Sequence, residues 1–174
     1  STGDADTDKI YVSISIGNNP PSKPIVTGNI TGIEDVEYTY LSTANDVDLG
    51  DMIRYGWDWN NDNIIDEWTE YTTSGNQSQI NHTFSHSGFY RIRVIAEDST
   101  NARSDWSERF LVFIDIDYEQ QNDGSILIDD DNDGNWDYLY NPTNDELMPF
   151  PFESSGILLI ILFLIIIIAC ISIL

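Results

Sequence analysis

Apolar and polar residues alternate with a period of two through most of the chain, which is the mark of half-buried strands. The clearest case begins at Met52. Ile53, Tyr55, Trp57 and Trp59 fall on one face, and Arg54, Gly56, Asp58 and Asn60 on the other. Phe89–Asp98 gives the longest run, with Tyr90, Ile92, Val94 and Ala96 predicted inward and Arg91 and Arg93 outward. Lys9–Ile16, Ile25–Ile30, Glu37–Ser42, Glu67–Tyr71, Ser78–Phe84 and Trp106–Asp117 complete the predicted strands of this part. Polar turns separate them, among them the Asn45–Asp51 segment. Seven short strands between Pro24 and Asp117 predict an all-β, two-sheet sandwich. Lys9–Ile16 lies before a proline-rich linker, Gly17–Pro24, and so has no domain of its own. It is read as the last strand of a preceding unit, or as pairing with another part of this molecule or with a neighbour's sheet edge.

Beyond the sandwich, Ser125–Ile128 and Tyr138–Tyr140 predict a small β-hairpin unit. The pattern changes again at Ile157. Residues 157–174 carry no charge and are apolar almost throughout. As a helix they reach roughly 27 Å at 1.5 Å per residue, against a hydrocarbon core of about 30 Å. In lipid the backbone must satisfy itself, so an α-helix is expected. Four segments follow: 1–19 strand and linker, 20–117 sandwich, 118–152 hairpin unit, 153–174 hydrophobic helix.

Charge narrows the function. Thirty acidic residues face seven basic ones, a formal net charge of −23. Nucleic acid is excluded as a partner, because binding it requires a basic surface. The single cysteine, Cys170, rules out an intrachain disulfide and a Cys-based zinc site. No nucleophile with a placed histidine base and no Gly-rich phosphate loop is present, so the chain is read as non-enzymatic. Three N-x-S/T triplets, at Asn29, Asn76 and Asn81, favour an extracellular, glycosylated setting.

Two acidic loops carry the candidate chemistry. Calcium takes six to eight oxygens at a flexible site, and a turning loop offers them at positions 1, 3, 5, 7 and 9. Asp129, Asp131, Asp133, the Asn135 carbonyl and Asp137 fit that frame, with Gly134 at the sharp turn of position 6. Asp58, Asn60, Asp62, the Ile64 carbonyl and Asp66 fit it too, with Asn63 at the turn. Thr69 and Tyr140 stand where an EF-hand has its twelfth-position Glu, so neither loop is an EF-hand. Glu67 or Glu70 is a further donor for the first loop. The opposing reading is of acidic, solvated turns, since Asp and Asn favour turns for local reasons.

Several segments together resemble a PKD (polycystic-kidney-disease) repeat of archaeal and bacterial surface proteins. They are Asn18–Pro24, Asn45–Asp51, Tyr55-Gly56-Trp57-Asp58-Trp59, His82–Tyr90, Val94–Asp98 and Ser104–Ser107. The resemblance covers about Pro20 to Asp117. It implies an immunoglobulin-like sandwich used for spacing and adhesion at cell surfaces. The family commonly has a tight W-x-F/W-G-D-G turn where this chain inserts Asn60–Asp66. Asp123–Phe150 resembles the calcium-loop hairpins that sit between such repeats and a membrane anchor. The expected function is that of a calcium-stiffened surface protein held in a lipid bilayer by residues 157–174. One alternative is a homo-oligomeric filament, with 157–174 in its core and Lys9–Ile16 on a neighbour's sheet. The other is a carbohydrate-binding module using the tryptophans.

Overall fold

The computed structural model describes residues 17–150. The predicted Lys9–Ile16 strand and the predicted 157–174 helix lie outside them.

Alternating residues become strands where one face finds a core. The strands are β1 (Ile25–Thr27), β2 (Thr31–Gly32), β3 (Glu37–Thr43), β4 (Met52–Asp58), β5 (Glu67–Trp68), β6 (Thr72–Thr73), β7 (Ser78–Thr83), β8 (Gly88–Asp98) and β9 (Phe110–Ile114). They form two sheets. The smaller has the order β1-β3-β7, and the larger β2-β9-β8-β4-β5, with β6 also on β4. The pairs are antiparallel except β2–β9.

The core lies between these sheets and is largely aromatic. Tyr40 of β3 reaches across to Trp57, Trp59, Phe84 and Phe110, with ring centroids 5.4–6.2 Å apart. Trp57 and Trp59 stack at 4.7 Å. Tyr40 is fully buried, and so are Ile53, Tyr55 and Trp57, as the alternation predicted. Burying one such ring at about 25 cal/mol per Å² stabilises the fold by about 5 kcal/mol.

The outer face of the large sheet departs from expectation. From Ile92 to Asp98 every residue of β8 is buried, including Arg93 at 7% exposure. Arg93 was expected to face outward into water. Instead the 58–66 loop and Trp106 roof that face, and the Arg93 guanidinium lies 4.8 Å from the Trp106 ring centre. Gly56 permits this roof. A Cβ there would meet Ile65 at 2.9 Å and Trp68 at 3.0 Å. Nearby, buried Glu97 holds both Arg54 and Arg103, whose guanidinium groups flank the Trp68 ring.

The predicted Trp106–Asp117 strand is broken. β9 ends at Ile114, and Asp115 takes a left-handed conformation (φ 48°) with its amide bonded to Gly32. The chain is thereby redirected into a third sheet. That sheet contains β10 (Asp117–Gln120), β11 (Ile126–Asp129), β12 (Tyr138–Asn141) and β13 (Glu146–Pro149), in sequence order and antiparallel. The expected hairpin is therefore the centre of a four-stranded sheet. Glu67–Tyr71 likewise shrinks to the two residues of β5.

The third sheet packs on the outer face of the sandwich. Phe89, Phe113 and Tyr118 stack in series at 5.0 and 3.9 Å, and Tyr140 meets Phe89 at 5.0 Å. Asp145 closes the junction. Its carboxylate accepts from Arg91 (3.1 Å), Arg109 (2.6 Å) and the Tyr140 hydroxyl (3.0 Å). Arg91 is thus covered too, by this sheet. The third sheet meets β8 near Gly88, and Asn18 meets its other end at Asp98. Eleven strand residues separate the two, about 35 Å at 3.3 Å per residue.

Candidate metal centres

The 58–66 and 129–137 loops leave β4 and β11 in the same way, and their local sequence dictates one shape. Asp at the first position ends a strand and turns its carboxylate back over the loop. In the first loop, Asp58 accepts from the Asp62 amide (3.1 Å) and the Asn63 amide (2.9 Å). In the second, Asp129 accepts from the Asp133 amide (3.2 Å) and the Gly134 amide (2.9 Å). The third-position oxygens of Asn60 and Asp131 accept from the same Asp62 and Asp133 amides. The fifth-position carboxylates accept from the amides of Ile64 and Asn135. The ninth, Asp66 and Asp137, accept from the amides of Trp59 and Asp130. The Asp66 and Asp137 amides in turn donate to the carbonyls of Trp57 and Ile128.

Six hydrogen bonds of one loop therefore have a counterpart in the other. The backbone agrees. Asn61 and Asn132 at position 4, and Asn63 and Gly134 at position 6, all have φ between 58° and 87°. Asparagine and glycine tolerate that region best, so position 6 is filled by suitable residues in both loops.

The loops differ in charge and convergence. Carboxylate oxygens of Asp129, Asp131 and Asp137 all lie within 4.8 Å of one another. Beside them, the Asp130 carboxyl is pushed up, first by burial and then by its hydrogen-bonded neighbour Asp137. Among the described residues, Asp58, Asp62 and Asp66 form no such convergence. There Arg93 donates to Asp58 (3.0 Å) and to the Asn63 side chain (2.8 Å). Glu67 and Glu70 are exposed.

A third grouping was not visible in the sequence. Asp46, Asp51 and Asp98 bring carboxylate oxygens within 4.8 Å of each other. Asp98 is fully buried, and the buried Asp46 Oδ2 atom has no hydrogen-bond partner among the described residues. Burial, with Asp46 and Asp98 close by, pushes the Asp51 carboxyl up. Asn18 donates to Asp98 at 2.8 Å, tying the linker to the same place. The Asn45–Asp51 turn was legible in sequence, but its meeting with the end of β8 is long-range and leaves no spacing to read.

Other candidates resolve simply. Trp57 and Trp59 are in the core, and Trp59 stacks on His82 at 3.9 Å. Burial holds the His82 imidazole below its ordinary value. The rings of Trp68 and Trp106 lie against arginines. Asn29, Asn76 and Asn81 are all exposed, although the Asn81 amide donates to Glu37 at 2.6 Å. The six basic residues among the described ones all form ion pairs.

No protein-family model and no curated protein matches the chain. A solved structure does: the PKD domain of an M14-like peptidase from a Thermoplasmatales archaeon. It is 33% identical, with a TM-score of 0.50, and the match covers 56% of this chain and 98% of that domain. The chain belongs to the PKD-domain family. The covered share corresponds to about the length of the sandwich, so the PKD assignment accounts for β1–β9 and their immunoglobulin-like arrangement. The match lends no support to a metal in the two acidic loops or to an anchor at residues 157–174. Among the described residues no helix is long and apolar enough to cross a membrane.

Proposed function

We propose that this PKD protein is a non-enzymatic extracellular spacer and adhesion module, stiffened by calcium and tethered to a membrane through residues 157–174. The observation that carries the reading is the convergence of Asp129, Asp131 and Asp137 in a turn whose six-bond, oxygen-lined frame the 58–66 loop repeats, since a hard divalent cation fits oxygen donors in this number. Asp129, Asp131, Asp133, Asp137 and the Asn135 carbonyl would hold one calcium ion. Asp58, Asn60, Asp62, Asp66 and the Ile64 carbonyl offer a second set. The Asp46–Asp51–Asp98 grouping has its own orphaned carboxylate oxygen to satisfy.

The placement suits a spacer. The linker is tied to one end of β8 and the third sheet to the other, so load passes along the longest strand of the fold. A cation in the 129–137 loop would pin β11 to β12, and one at Asp98 would pin the linker. Exposed sequons at Asn29, Asn76 and Asn81 suit an extracellular face. The related domain comes from a peptidase, but a shared fold does not carry an activity with it.

Protease treatment of intact cells, with the full chain followed by peptide mapping, tests the placement. Surface location predicts loss of sandwich peptides while a fragment containing 157–174 stays with the membrane. Full protection from protease, or recovery of the whole chain in the soluble fraction, would contradict it. Native material that sediments as fibres instead of membrane would favour the filament reading.

A further inference from the structure

The two loops share a frame, yet only one of them meets a basic side chain. Among the described residues no Lys or Arg pairs with Asp129, Asp131, Asp133 or Asp137. In the 58–66 loop, Arg93 is 7% exposed and donates through one nitrogen to both Asp58 and the Asn63 side chain. These are positions 1 and 6, the two that close the turn. The position-3 donor is also neutral here, Asn60 in place of Asp131. At positions 1, 3, 5 and 9 the first loop therefore has three carboxylates and an internal guanidinium, and the second has four carboxylates, with Asp130 beside them, and no guanidinium.

We infer that Arg93 is the permanent cation of the 58–66 loop, which keeps its shape without metal, whereas the 129–137 loop depends on a divalent ion. A guanidinium cannot be deprotonated in a protein, so this charge is always present. It is fixed on β8, held from the side by Trp106 and delivered to the fully buried Asp58. A divalent ion entering the same loop would meet this positive charge beside its first ligand, and affinity there falls relative to the 129–137 loop. The sequence difference explains the structural one. The outward position of β8 opposite Asp58 in the ladder is Arg93, while β10 and β12, the neighbours of β11, offer no basic residue. The contrast between the loops rests on the calcium reading above. The role of Arg93 does not, because it is read without metal.

Hydrogen-exchange mass spectrometry of the full chain, in chelator and in calcium, tests this. In chelator the amides of Asp62, Asn63 and Ile64 are expected to stay protected, while those of Asp133, Gly134 and Asn135 exchange fast and slow down when calcium is added. Arg93→Gln should speed exchange of the first set in chelator by about tenfold or more, and Arg93→Lys should recover part of it. If wild-type protein loses protection over 58–66 in chelator, or if Arg93→Gln retains it, the assignment of Arg93 is overturned. If neither loop responds to calcium but Arg93→Gln still exposes 58–66, the Arg93 assignment stands and the calcium reading fails.

Discussion

Asp145 is the point at which the third sheet is fastened to the sandwich, and Asp145→Asn isolates that fastening. The residue sits at φ 57°, a conformation asparagine also tolerates, so the substitution leaves the backbone undisturbed. What changes is one oxygen and one charge. Wild-type Asp145 accepts from Arg91 at 3.1 Å and from Tyr140 at 3.0 Å through Oδ1, and from Arg109 at 2.6 Å through Oδ2. An asparagine keeps a single acceptor and turns an NH₂ group toward one arginine. A hydrogen bond to a charged group contributes about 1.5–3 kcal/mol, and breaking a buried pair costs about 3–5 kcal/mol. The side chains here are 22–33% exposed, so water takes up part of the loss. The expected cost is about 2 kcal/mol, or about 4–8 °C in melting temperature for a chain of this size. Urea unfolding followed by tryptophan fluorescence measures it, with Glu119→Gln on the exposed edge of β10 as the neutral control. A change within about 0.5 kcal/mol of wild type for Asp145→Asn would show that the junction is not clamped there.

Three further outcomes follow from the packing. Glu97 is 1% exposed, and although burial pushes its carboxyl up, the hydrogen bonds from Arg54 and Arg103 outweigh this and hold it below the ordinary range. Glu97→Gln should therefore cost about 3–5 kcal/mol at neutral pH, and much less at a pH low enough to protonate wild-type Glu97, as a urea series across pH would show. Tyr40 and Tyr140 are both pushed up to about 12, in each case chiefly by burial. Their folded values exceed the unfolded value of about 10, so the stability they contribute is complete below pH ~10 and is lost as pH rises toward ~12. Alkaline unfolding in that window is expected by circular dichroism, and flat stability up to pH ~12 would refute it. Gly134→Val places a branched side chain at φ 87° and should destabilise the third sheet by about 1–3 kcal/mol, whereas Gly17→Ala, with open space around it, should cost less than about 0.5 kcal/mol.

The sandwich was readable because β3, β4 and β8 each set core-facing apolar residues at alternate positions in the sequence, and alternation is a local signal. Ile53, Tyr55, Trp57, Ile92 and Val94 are where the pattern put them. What escaped is what depends on distant neighbours. The outward face of β8 reads as polar because it carries Arg91 and Arg93, yet the 58–66 loop and the third sheet cover it. β10 and β13 are four residues each with little burial, too short and too polar to show a period. In the candidate sites, the shared oxygen spacing of both loops was legible because each loop is contiguous. Arg93 and the Asp46–Asp51–Asp98 meeting were not, since each joins residues from separate strands.

Calcium in the 129–137 loop is the centre of this account, and scanning calorimetry of the chelator-treated full chain tests it most directly. Binding to the folded state alone stabilises by about 2.7 kcal/mol when calcium is a hundredfold above its dissociation constant. The melting temperature is expected to climb with the logarithm of calcium concentration, and the climb to disappear largely in the Asp129→Asn, Asp131→Asn double variant. A melting temperature indifferent to calcium in the wild type, or an undiminished climb in that variant, would contradict it.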